Sequence, residues 1–164
     1  AEPEPHLLPG APAPKITVAE WINGEKVTEF APDKIYVLDF WATWCGPCKA
    51  SFPGMQRAVD KFSKNEDVEF LFIDTWENSA DKAKNAADFI ASKNYTFNVL
   101  MDNEDKTVAA FGVSGIPTKF VLDKNGKIRF KSVGFNGNDE ELVQELTFMI
   151  ELAGGSMPVA AAAP

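Results

Sequence analysis

Apolar and polar positions fall into blocks along this chain, and the spacing within each block predicts an element. Ile35 to Trp41 is a continuous apolar run broken only by Asp39, the pattern of a strand buried on both faces. Val68 to Ile73 repeats that pattern, and Asn98 to Met101 gives a shorter strand. Helical spacing follows from about Gly46 to Ser63, where Phe52, Met55, Val59 and Phe62 share one side. A second helix is predicted over Ala80 to Lys93 through Ala83, Ala87, Phe89 and Ile90, and a short one over Glu104 to Phe111, ended by Gly112. The last helix runs from about Asp139 to Leu152 on Leu142, Leu146, Met149 and Ile150.

Turn residues join the remaining blocks. Asp123-Lys124-Asn125-Gly126 links strands at Lys119 to Leu122 and Lys127 to Val133. Asn23-Gly24 stands between Ile16 to Trp21 and Glu25 to Thr28, and predicts an N-terminal β-hairpin. Strands that alternate with helices and close with a hairpin and a helix define an α/β sandwich around a mixed sheet. Five prolines within residues 1–14 exclude helix and central strand there, so that stretch reads as an extended leader or spacer. Residues 15–152 form the domain, and the Gly/Ala/Pro-rich residues 153–164 read as a mobile tail.

Composition narrows the function. A chain of 164 residues, 45% hydrophobic, has room for one domain with a full core, and thirteen Phe and four Trp fill it with large rings. The net charge of −8 argues against a nucleic-acid partner, because phosphate binding needs clustered Lys and Arg. No run of about 18 apolar residues is present to span a membrane. The two cysteines cannot build a multi-bridge scaffold. A zinc site would need two further ligands, and the single histidine, His6, lies far off in the Pro-rich leader, so no metal is expected.

The cysteines stand in Trp44-Cys45-Gly46-Pro47-Cys48-Lys49, after a buried strand and at the opening of a helix. Free N–H groups and the helix dipole at that terminus favour a thiolate on Cys45. They lower its pKa from roughly 8.5 towards about 7 or below. Cys48, one turn on, is close enough to attack a mixed disulfide formed at Cys45. Asp39, polar inside an apolar strand, is costly to bury alone, and burial raises a carboxyl pKa towards a range useful for proton transfer.

The stretch Asp39-Phe40-Trp41-Ala42-Thr43-Trp44-Cys45-Gly46-Pro47-Cys48-Lys49 resembles the active site of the thioredoxins. The likeness extends to Pro53 in the following helix, to Ile116-Pro117-Thr118, and to Gly134. The length from Asn85 to Gly112 and the N-terminal hairpin resemble the TlpA/ResA-like branch of extracytoplasmic thiol–disulfide oxidoreductases. The resemblance implies a three-layer thioredoxin-like sandwich with a central insertion and an activity that reduces disulfides in protein substrates. Cys45 would attack and Cys48 resolve, Asp39 would accept the resolving thiol's proton, and the Cys45–Cys48 couple would need no bound cofactor. Gly46 and Pro47 are the thioredoxin pairing and imply a reducing potential close to thioredoxin's, about −270 mV. Pro117 would follow a cis bond, setting Ile116 beside Cys45, and Trp44 would form part of the rim that meets partners, with Trp41 as core support. Protein thiols and disulfides and an upstream redox donor are the expected partners of a monomer in the periplasm or otherwise outside the cytoplasm, the cytoplasm being the alternative, with the leader as a place for a membrane tether.

Two departures from the pattern stand out. Ser51 occupies the place where this branch often carries Glu, three residues after the second cysteine, and Phe70 stands near the place of the lysine that pairs with the buried Asp in thioredoxins. Other readings of the pair are a thioredoxin-fold Cu(I) carrier, a thiol peroxidase, or an interaction domain with a relic redox pair. Cu(I) carriers of this fold usually add a distant His, which no residue after Cys48 supplies, and peroxidase chemistry wants a nearby Thr or Ser with an activating Arg.

Overall fold

The structure, a computed structural model, describes residues 9–158 apart from 19 and 28. Its elements, in chain order, are β1 (Glu20–Asn23), β2 (Ile35–Trp41), α1 (Gly46–Lys61), β3 (Val68–Asp74), α2 (Lys82–Ser92), β4 (Val99–Met101), α3 (Lys106–Ala110), β5 (Thr118–Leu122), β6 (Ile128–Val133) and α4 (Asp139–Leu152). The strands make one mixed sheet in the order β1-β4-β3-β2-β5-β6. β2 is its spine, parallel to β3 on one side and antiparallel to β5 on the other, and all seven of its residues are buried.

Alternation along β2 sorts the core into two layers. Ile35, Val37 and Trp41 face Phe52 and Met55 of α1, Ala86 and Ile90 of α2, and Leu146, Met149 and Ile150 of α4. Tyr36, Leu38 and Phe40 face Val108 of α3, Phe111, and the N-terminal Ile16. Helices and N-terminal segment thus cover both faces, as a central strand apolar on both sides requires. On α2 the buried residues are Ala86 and Ile90, so the apolar stripe is turned one position from the predicted Ala87. No helix among the described residues is long and apolar enough to cross a membrane.

Among the described residues the predicted N-terminal hairpin does not form. Gly24 does turn the chain, at φ +83°, but residues 25–27 carry no strand, and β1 pairs antiparallel with β4 instead. The turn's polar groups are committed to the neighbouring chain. Asn23 Nδ2 donates to the Phe97 carbonyl at 3.0 Å, and Asn98 Nδ2 donates to the Glu25 carbonyl at 3.0 Å. A Cβ on Gly24 would lie 2.6 Å from Asn98 Cγ, so close packing as well as backbone conformation calls for glycine there.

Both ends also differ from expectation within the described residues. Gly10 and Ala13 donate backbone hydrogen bonds to Ile128 and Gly126, and Pro12 bridges Lys127, so residues 10–13 are packed on the start of β6 rather than spaced away from it. At the other end Asn65 Nδ2 donates to the carbonyls of Ser156 and Met157, and the Ser156 amide donates to Asp67 at 2.8 Å. The segment read as a mobile tail is therefore tied down as far as Met157. Residues 1–8, including His6, and residues 159–164 lie outside the described residues.

Candidate active site

Cys45 is the N-cap of α1, and its Sγ accepts the Cys48 amide at 3.2 Å. Pro47, in the first turn, forgoes only an N–H that has no partner inside the helix. No acidic side chain stands in that turn to oppose a thiolate. Cys45 and Cys48 are joined as a disulfide with Cα atoms 5.3 Å apart. The two sulfur positions differ in access: Cys45 retains 3% exposure beside the exposed Gly46 and Pro47, whereas Cys48 retains none. Ser51, where a glutamate was the family expectation, is wholly buried and its hydroxyl donates to the Cys48 carbonyl at 2.7 Å.

The loop before β5 reaches the pair from the other side. Ile116-Pro117 is a cis peptide, and the Ile116 carbonyl oxygen lies 3.8 Å from Cys45 Sγ. The Gly134 amide donates to the Pro117 carbonyl at 2.8 Å, which ties the end of β6 to this loop. Trp44 is 53% exposed, with its Nε1 donating to the Trp76 carbonyl at 2.7 Å. Trp41 is fully buried between Phe52 and Phe89.

Asp39 shares the face of β2 that carries Val37 and Trp41, beneath Cys48 and α1. It is 1% exposed, and on the adjacent strand Lys119, 2% exposed, brings Nζ to 3.7 Å from its Oδ1. At that distance the contact is an ion pair rather than a direct hydrogen bond. Burial pushes Asp39 up to about 6, and the Lys119 charge pulls the other way. Lys119 corrects the search for a paired lysine around Phe70. The β3 neighbour of Asp39 is Phe72, and the cation comes from the opposite neighbour, β5, through the register Asp39↔Lys119. The sequence held one signal for it: with Val121 facing the α1 layer, period-2 alternation sends Lys119 into the same layer.

Sequence reasoning also missed a second buried group at the C-terminal end of β3. Glu77 Oε2 accepts the Thr43 amide at 2.7 Å and its Oε1 accepts the Thr43 hydroxyl at 2.6 Å. Asp74, 1% exposed, has no hydrogen-bond partner for either oxygen among the described residues, and the Glu77 carboxyl is the neighbour that acts on it most after burial. Burial, then Glu77, pushes Asp74 up to about 10, a shift that favours the protonated carboxyl. No sequence pattern pointed here, because Thr43 and Glu77 meet only across the ends of β2 and β3.

A helix-capping cysteine, a sealed partner cysteine, a buried carboxylate beneath them and a cis-proline loop beside them define a thioredoxin-fold thiol–disulfide oxidoreductase. Comparison with known proteins agrees. The chain belongs to the AhpC/TSA family, whose profile matches residues 9–131. It is 30% identical over 138 residues to the thiol-disulfide oxidoreductase ResA of Geobacillus thermodenitrificans, covering 84% of this chain and 75% of that protein. Among solved structures it is similar to a thiol:disulfide interchange protein DsbE from Chlorobium tepidum, at 30% identity and TM-score 0.68, over 88% of this chain and 96% of that one. StoA from Bacillus subtilis is similar at 26% identity and TM-score 0.67, over 81% and 98% of the two chains.

Proposed function

We propose that this oxidoreductase works as a reductant of disulfides in protein substrates, recharged by an upstream redox donor and needing no bound cofactor. The observation that carries the reading is the asymmetry of the pair. One sulfur stands at a helix N-terminus on the rim, and the other is sealed above a buried carboxylate. In the reduced protein the Cys45 thiolate attacks a substrate disulfide, forming a mixed disulfide and releasing the first substrate thiolate. Asp39, ionised above about pH 6, takes the Cys48 proton. The Cys48 thiolate then attacks Cys45 Sγ, closes the Cys45–Cys48 disulfide and releases the second substrate thiolate. Two electrons pass to the substrate, and the donor restores them.

Trp44, Gly46, Pro47, Ile116, Pro117 and Gly134 surround Cys45 and form the surface on which an extended substrate segment docks, with the Ile116 backbone in reach of it. The protein acts as a monomer outside the cytoplasm, a setting supported by its resemblance to the TlpA/ResA-like branch. Residues 10–13 pack at the start of β6, the end remote from Cys45, so a membrane tether attached through the leader leaves the site free.

Insulin reduction by the wild type, together with the equilibrium potential of the couple against glutathione, tests the reading. Turnover and a potential near thioredoxin's, about −270 mV, are expected. A potential near that of a strong oxidant, about −120 mV, or no insulin reduction, overturns it. In Cys48→Ser, Cys45 should retain substrate as a mixed disulfide, and failure to trap any partner would count equally against it.

A further inference from the structure

The turn Ala42–Cys45, which delivers β2 into α1, is clamped by three consecutive residues of the β3–α2 loop. The Thr75 amide donates to the Trp41 carbonyl at 2.8 Å, Glu77 takes both donors of Thr43, and the Trp76 carbonyl takes the Trp44 indole N–H. The clamp is itself held under strain. Trp76 sits at φ +54°, a costly conformation for a bulky residue, and is kept there by Asp105 Oδ1, which accepts its amide at 2.9 Å. Asp105, also at positive φ, and Asp102, which accepts the Thr107 and Val108 amides at the start of α3, further accept the Thr75 hydroxyl. A continuous set of hydrogen bonds thus runs from α3 to the residue before Cys45.

The weak point of such a clamp is Glu77 beside Asp74. Two buried carboxylates side by side would repel, and only a proton on one of them makes the pair attractive. Thr43 offers Glu77 an amide and a hydroxyl, so each Glu77 oxygen already accepts a hydrogen bond. The shared proton is therefore assigned to Asp74, whose oxygens meet no donor among the described residues.

Resting on the reductase reading above, we propose that Glu77 is a positioning residue for substrate docking. Held by the Asp74 proton, it fixes Thr43 so that the Trp44 indole stands at the rim in the orientation a protein substrate packs against. The reaction at Cys45 does not pass through it. Its loss weakens docking and leaves the exchange steps intact.

Steady-state reduction of insulin by the purified full chain tests this. Glu77→Leu is expected to raise KM about tenfold, the effect of removing a buried hydrogen-bonding group, with kcat held within about twofold. Asp74→Asn, which keeps a neutral donor for Glu77, should retain the wild-type KM, whereas Asp74→Leu should match Glu77→Leu. If Glu77→Leu does not fold, Thr43→Val removes only the hydroxyl end and should raise KM about threefold. An unchanged KM in folded Glu77→Leu or in Thr43→Val, a loss confined to kcat, or equal behaviour of Asp74→Asn and Asp74→Leu overturns the proposal. Amide exchange at Thr43 separates it from the reductase reading. Should the wild type fail to reduce insulin, the Thr43 amide is still expected to exchange at least about tenfold faster in Glu77→Leu, and unchanged exchange overturns the clamp by itself.

Discussion

Two aspartates on neighbouring strands, Asp39 of β2 and Asp74 of β3, are each 1% exposed and meet opposite electrostatic fates. Asp39 has a cation beside it, Lys119 Nζ at 3.7 Å, whereas Asp74 has the carboxyl of Glu77. Burial raises both. The cation holds Asp39 back to about 6, and the second acid sends Asp74 up to about 10. Equal burial therefore yields one carboxyl that changes charge near working pH and one that stays protonated across it. Burial raises both, and the charged neighbour then separates them: a cation from β5 beside Asp39, an acid from the β3–α2 loop beside Asp74.

The largest expected difference is in stability against pH. Asp39 is raised from 3.8 to about 6 in the folded protein, so the folded state binds its proton more tightly than the unfolded chain. Its contribution to stability is fully present below about pH 3.8 and is lost as pH rises through about 6, a change of about 3 kcal/mol. Urea unfolding of the oxidised protein from pH 4 to pH 7 should show the wild type losing about that much relative to Asp39→Asn. A constant offset between the two proteins would break the assignment of Asp39 as the titrating member.

Next in size is the rate at which the mixed disulfide resolves. Asp39→Asn removes the acceptor for the Cys48 proton, and general-base contributions are of order a hundredfold or more, so single-turnover release at pH 7 should fall about 100-fold. Lys119→Met leaves the base in place but takes away its cation. Its pKa then rises further, the acid limb of the rate profile moves above pH 6, and release at pH 7 falls about tenfold. An unshifted limb in Lys119→Met would show that the ion pair does not set the proton affinity of Asp39.

The same contrast explains what the chain disclosed before folding. β2, α1 and α4 were legible because their apolar periods are long and uninterrupted, the cysteine pair and Asp39 because each is marked within a few residues of sequence, and Pro117 only through the resemblance to the thioredoxins. Lys119 was not, since only the antiparallel register with β5 sets it against Asp39. The Thr43–Glu77–Asp74 contacts were illegible for a stronger reason: they depend on where two strand ends stop, and strand ends are poorly marked in sequence. The N-terminal hairpin failed for a related cause. Asn23-Gly24 does specify a turn, but the turn cannot say which strand β1 will pair with, and Asn98 resolved that in favour of β4.

The smallest expected effect sharpens the comparison most. Asp39→Asn and Asp74→Asn are the same chemical change at equal burial, yet the second should be nearly silent in the resolution step. Burial and then Glu77 push Asp74 up to about 10, the proposal above makes it a neutral donor to Glu77, and an asparagine amide supplies the same kind of donor in the same volume. Release of the mixed disulfide at pH 7 by Asp74→Asn should stay within about twofold of the wild type, with no shift in the acid limb of its pH profile. A loss approaching that of Asp39→Asn would place Asp74 on the proton's route from Cys48. It would also mean that its contact with Glu77 is not its role.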